Sequence, residues 1–160
     1  MRSFVQTKKT IMKLLQAKFL CLMAMLLMSS VHLFSQSQDE LAVKETALNY
    51  IEGWYTADSA RMATALSVEL VKKGFLLNQR TGKLSIAPAT YAQMVQWAGN
   101  KPNEMAKNPD ILLEVHIIEV GENIAMVKTI APDFIDYLHM GKMNGEWKIY
   151  HAIWEPNKSQ

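Results

Sequence analysis

The sequence predicts an α+β domain in which two or three helices lead into a meandering antiparallel sheet. Three features carry this prediction. Apolar residues recur at helical spacing between Asp39 and about Ala57, β-branched and aliphatic stretches dominate after residue 110, and an Asn144-Gly145 pair separates two strand-like segments. Strands that follow helices in a block favour antiparallel pairing over the alternating order of a parallel α/β sheet.

The 160 residues are enough for one ordinary domain, and 49% hydrophobic content excludes a disordered polyelectrolyte. The chain divides at about residue 37. Residues 1–18 hold Arg2, Lys8, Lys9, Lys13 and Lys18 and no acid, and Phe19–Phe34 is an apolar run broken only by Ser29, Ser30 and His32. A basic stretch, an apolar stretch and a return to small residues at Ser35 and Ser37 read as a secretory signal over 1–37. A lipid anchor at Cys21 is disfavoured by the bulky Leu20 before it. Residues 38–160 are then one domain, exported to the periplasm or beyond and without a stable membrane anchor after cleavage. Five of the 17 basic residues and none of the 15 acids fall in the signal, so the remainder carries 12 against 15, a net charge of −3. The basicity of the whole chain is therefore no sign of a nucleic-acid partner.

Within 38–160 the elements follow in order. Val43, Ala47, Tyr50, Ile51 and Trp54 share one face of a first helix, whose N-terminal end is suited by Asp39 and Glu40. Asp58 is placed to cap a short second helix with Met62, Ala65 and Leu66 on one side. Residues 70–87 read as a hairpin closed by Arg80-Thr81-Gly82-Lys83. Thr90 and Gln93 form a capping box for a helix that ends near Gly99. Residues 99–110 read as a loop, Ile111–Val120 and Ile124–Ala131 as strands around a Gly121-Glu122-Asn123 turn, and Phe134–Met143 with Glu146–Trp154 as a hairpin. Asn-Gly is the favoured pair for a two-residue turn that needs positive φ at both positions.

That turn sets a register in which Met140 faces Ile149, Leu138 faces His151 and Asp136 faces Ile153. One face then carries Phe134, Leu138, Met140, Trp147, Ile149 and Ile153, with Asp136 and His151 among them, and resembles a core face lining a cavity. The other carries Ile135, Tyr137, His139, Tyr150, Ala152 and Trp154, an aromatic face expected to pair two copies as a homodimer. A slip of one residue would exchange the faces. His116, His139 and His151 fall on three strands and do not converge, so no metal is expected, and no cofactor motif is present.

The ending DYLHMGKMNGEWKIYHAIW and the helix ETALNYIEGWYTADSARM resemble the nuclear-transport-factor-2-like superfamily, closest to its lumazine-binding and SnoaL-like branch of bacterial secreted proteins. The resemblance spans about 39–156 and implies a cone in which a curved sheet wraps around helices and leaves a pocket. It implies either a non-catalytic binder of a small apolar or aromatic molecule, or an isomerase, dehydratase or cyclase that moves a proton next to a carbonyl; a structural dimer with a vestigial pocket is a third reading. In the enzymatic version Asp136 takes the proton, Tyr50 donates to the developing enolate and His151 orients or relays. In the binding version Tyr50, Trp54, Leu138 and Trp147 contact the ligand.

Overall fold

The computed structural model describes residues 38–158. The segment read as an export signal lies outside the described residues. The first helix, α1, spans 38–55, and the apolar positions that recur every three or four residues put Val43, Ala47, Tyr50, Ile51 and Tyr55 into the core. Ala57 takes φ 58, and Asp58 then caps α2 (Ser59–Ala65) by accepting from the backbone N–H of Arg61 at 2.9 Å. The expected third core position of α2, Leu66, already belongs to β1 (Leu66–Leu77), which starts four residues earlier than the sequence pattern indicates.

β1 returns through Asn78–Lys83 into β2 (Leu84–Thr90), with Leu77 opposite Leu84. Asn78 shapes the turn by accepting from the N–H groups of Arg80 and Thr81 at 3.0 Å each, and Gly82 supplies φ 67. Thr90 and Gln93 make the expected capping box on α3 (Tyr91–Asn100). α3 stops as Lys101 turns extended, the conformation favoured before Pro102. The expected loop contains one helical turn, α4 (Glu104–Lys107), capped by Asn103. β3 (Glu114–Val120), β4 (Ile124–Ile130), β5 (Phe134–Met143) and β6 (Glu146–Pro156) complete the chain. Asn144 and Gly145 both have positive φ, as their turn requires.

The six strands form one sheet in the order β2-β1-β6-β5-β4-β3. Every neighbouring pair is antiparallel except β1 and β6, which run parallel. The fold class is α+β, and the sheet is mixed. The helices cover the inner face, where Leu66, Leu70, Val127, Leu138, Met140, Trp147, Ile149 and Ala152 join the α1 side chains in a single core. Among the described residues no helix is long and apolar enough to cross a membrane.

The β5–β6 register follows the expected pairing only next to the turn. Met143 faces Glu146, Lys142 faces Trp147 and Met140 faces Ile149, but His139 then faces His151. β6 holds one extra residue there, a β-bulge that reverses which side chains point inward beyond it. His151 and Ile153 therefore lie on the outer face rather than beside Asp136, and Ala152 and Trp154 turn to the inner face. Asp136 stays inside, opposite Trp154 instead of Ile153. On the outer face His151 stacks on His139, ring centroids 5.3 Å apart.

Candidate functional site

A cavity of about 110 Å³ opens beside the inner face where α1, α3 and four strands meet. Tyr50 and Trp54 come from α1, Lys72 from β1, Ala87, Pro88 and Ala89 from β2, Met94 and Trp97 from α3, Phe134 from β5 and Trp154 from β6. The small side chains of β2 leave the space that five aromatic residues enclose. Gly74 shapes the wall as well: it pairs with Trp154 across β1 and β6, and a Cβ at residue 74 would overlap the indole ring. The bulge in β6 is what brings Trp154 to this side.

Among the described residues, Lys72 is the one ionisable cation in the wall, and it is only 6% exposed. Its Nζ lies 5.1 Å from the ring centroid of Tyr50, 5.4 Å from that of Trp154 and 5.8 Å from that of Phe134. An ammonium among aromatic faces gains cation–π attraction, which grows when water is excluded. Nζ donates to the Tyr50 hydroxyl and to Asp136 Oδ1, and Tyr50 in turn donates to the same oxygen at 3.0 Å. Asp136 is fully buried, and among the described residues its Oδ2 has no hydrogen-bond partner; nor does Oγ1 of Thr129, its neighbour across β4. Burial pushes the Lys72 amine below its ordinary pKa, against the opposing pull of Asp136. Burial, and then the Asp136 charge, push the Tyr50 hydroxyl well above its ordinary value, so it stays protonated as a donor.

A second polar group stands at the rim. Tyr55 donates to Asp133 Oδ2 at 2.9 Å, and burial followed by that bond raises its pKa. Lys101 pairs with Glu104 at 2.5 Å and sits 4.9 Å over Trp54 and 5.1 Å over Tyr55. Phe134 links the two groups, edge-on to Trp54 and stacked against Tyr55.

Of the residues singled out from the sequence, Tyr50 and Trp54 line this cavity, and Asp136 stands behind it, bonded to Tyr50 and Lys72. His151 does not: it lies across the sheet, where burial, His139 and Lys73 lower its pKa. Leu138 is fully buried in the core and Trp147 donates to Asp39 Oδ1 at 3.0 Å near the other end of β5, so neither forms the wall. The enolate arrangement is also not assembled, because the Tyr50 proton is directed at Asp136 itself and Asp136 stands behind the wall. Lys72, Trp97 and Trp154 had not been foreseen. Lys72 falls on the inner side of β1 with Leu70 and Gly74, the alternate positions of the strand. Among the described residues no group of three His, Cys, Asp or Glu side chains could hold a metal ion.

Residues 38–155 match the family described as "Putative lumazine-binding". No curated protein matches the sequence. Among solved structures, an NTF2-like protein of unknown function from Shewanella baltica OS155 is similar at 22% identity and TM-score 0.60, over 77% of this chain and 97% of that one. An NTF-2-like protein of unknown function from Silicibacter pomeroyi DSS-3 is similar at 14% identity and TM-score 0.60, over 76% and 98%. One from Methylobacillus flagellatus KT follows at 17% identity and TM-score 0.56, over 75% and 93%. Likeness at these identities establishes the fold. With a match across the whole domain and this architecture, the chain belongs to the "Putative lumazine-binding" family and has the NTF2-like fold.

Proposed function

We propose that this chain is an exported domain that binds a small aromatic or largely apolar molecule in the cavity beside Lys72. The observation that carries the reading is the wall itself: aromatic and aliphatic side chains enclose a space into which one buried amine is presented. Small-molecule sites have this composition, an apolar enclosure with few polar anchors that fix orientation. A planar ring bearing a carbonyl or anionic oxygen suits it, since the ring can lie against Trp54, Phe134 or Trp154 while the oxygen accepts from Lys72. Pteridines of the lumazine type, named in the family's description, fall within that class. The outer sheet face supports self-association: Val71, Met126, Tyr137 and Ile153 are exposed on it, and Tyr137 is 45% exposed.

Native mass spectrometry of the protein recovered from its host's cell envelope tests the reading. The expected species is a dimer that lacks residues 1–37, the segment read as an export signal, and carries a small molecule released on denaturation. Ala89→Phe, which fills the cavity from β2, should abolish the bound mass and leave the circular dichroism spectrum unchanged. A bound molecule retained by that variant would place the ligand elsewhere, and a wild-type monomer would remove the dimer.

A further inference from the structure

We propose that the Lys72 amine captures its ligand covalently, condensing with an aromatic aldehyde or ketone to form an imine. The inference rests on the reading of this cavity as a binding site and deepens it by naming the reactive group of the ligand. Three features of the geometry point to it. Lys72 Nζ is part of the cavity wall, ringed by Tyr50, Phe134 and Trp154, so an aromatic carbonyl compound lying against those rings has its carbonyl carbon next to the amine. Asp136 Oδ1 accepts directly from Nζ, which puts a proton acceptor on the nucleophile. The amine is buried, and lysines desolvated in apolar pockets are the ones that form Schiff bases. The lowered pKa of Lys72 agrees, because it enlarges the fraction of free amine.

The step balances without any further reactant. Asp136 takes one proton from the Lys72 ammonium, the free amine forms a bond from Nζ to the carbonyl carbon as the C=O π pair moves to oxygen, and one Nζ proton passes to that oxygen, giving a neutral carbinolamine. The Tyr50 hydroxyl, which touches both Nζ and Asp136 Oδ1, passes a proton to the carbinolamine oxygen and regains one from Asp136; the C–O bond breaks, and water leaves. The product is an iminium opposite an ionised Asp136, so the cavity holds the same pair of charges before and after. Tyr50 ends the step as it began, protonated and bonded to Asp136 Oδ1, so it relays the proton and is not itself consumed.

The test treats the full-length protein with benzaldehyde and then borohydride, and locates the product by peptide mapping. The expected result is a mass increase on Lys72 equal to the aldehyde less one oxygen. Lys72 should be labelled faster than the exposed Lys44, Lys107 and Lys158. Lys72→Arg, which keeps the positive charge, should lose the labelling at residue 72, and the unaltered protein should also bind benzyl alcohol, the same ring without a carbonyl. Binding of benzyl alcohol in the cavity, seen by ligand-observed NMR and blocked by Ala89→Phe, with no adduct on Lys72, overturns the imine and leaves the binding reading standing. Absence of both the adduct and benzyl alcohol binding overturns the two together. An adduct confined to exposed lysines also overturns the imine.

Discussion

Two lysine–aspartate pairs hold opposite ends of β5, and they share little beyond their chemistry. Near the turn, Lys142 pairs with Asp39 at 2.7 Å, with the side chains 26% and 15% exposed, and the Trp147 indole donates to the same carboxylate oxygen. At the other end Lys72 pairs with Asp136, with the side chains 7% and 0% exposed, among the rings of the cavity. The first pair is half in water and ties α1 to the hairpin at little desolvation cost. The second pair takes two charges out of water and leaves one carboxylate oxygen without a protein partner, a costly arrangement that well-packed apolar residues could replace with gain. The two pairs thus differ in setting: one fastens α1 to the hairpin near solvent, and the other stands buried beside the cavity.

The largest effect should come from breaking the buried pair on one side. Lys72→Met leaves the Asp136 carboxylate buried with only Tyr50 to neutralise it, which should cost about 3–5 kcal/mol in urea unfolding. Lys72→Met combined with Asp136→Asn should recover most of that loss, because no charge stays buried and the amide oxygen still accepts from Tyr50. Equal losses in the single and double variants would show that the charge is not what matters there. Next in size is Gly74→Ala, whose added Cβ must push the Trp154 ring out of place. Overpacking of this kind costs about 1–3 kcal/mol, and the tryptophan emission should shift with it; unchanged stability and emission would mean the wall yields freely.

The smallest effect belongs to the solvated pair. Asp39→Asn should cost about 0.5–1 kcal/mol at neutral pH. Its bond from Lys142, then that from Trp147, holds the Asp39 carboxyl below its ordinary 3.8. A carboxylate with a lowered folded pKa stabilises above its unfolded value and loses that contribution as pH falls through the folded one. The difference between wild type and Asp39→Asn should therefore be full at pH 7, begin to shrink as the pH drops below 3.8 and vanish in stronger acid. A difference that persists in strong acid would assign the effect to packing of Trp147 instead.

What could be read in the sequence was local. The capping box of Thr90 and Gln93 and the Asn144-Gly145 turn involve neighbours a few residues apart, and both stand where the pattern puts them. The side of the sheet that Asp136 faces also follows from alternation along β5. The bulge in β6 left no mark, since no glycine or proline punctuates Ile149-Tyr150-His151. Everything past it on β6 was assigned to the wrong face, and with it went His151 and Trp154. Lys72 was hidden differently. Beside Lys73 it reads as one of two solvated lysines, and only the partner 64 residues away, Asp136, makes an inward lysine tenable.

The place of β6 in the sheet bears on how the domain comes to exist at all. It follows every other strand in sequence, yet it stands between β1 and β5 and, among the described residues, is the strand whose backbone pairing joins the β1–β2 hairpin to the β3–β4–β5 meander. Until it docks, those two parts have no shared hydrogen bonds, Lys72 has no carboxylate held beside it, and the Trp154 wall is missing. Contacts that close over such long stretches of chain slow folding. The chain should therefore pass from two separate fragments to a finished binding site in one late cooperative event, with no partly built cavity available to a ligand along the way.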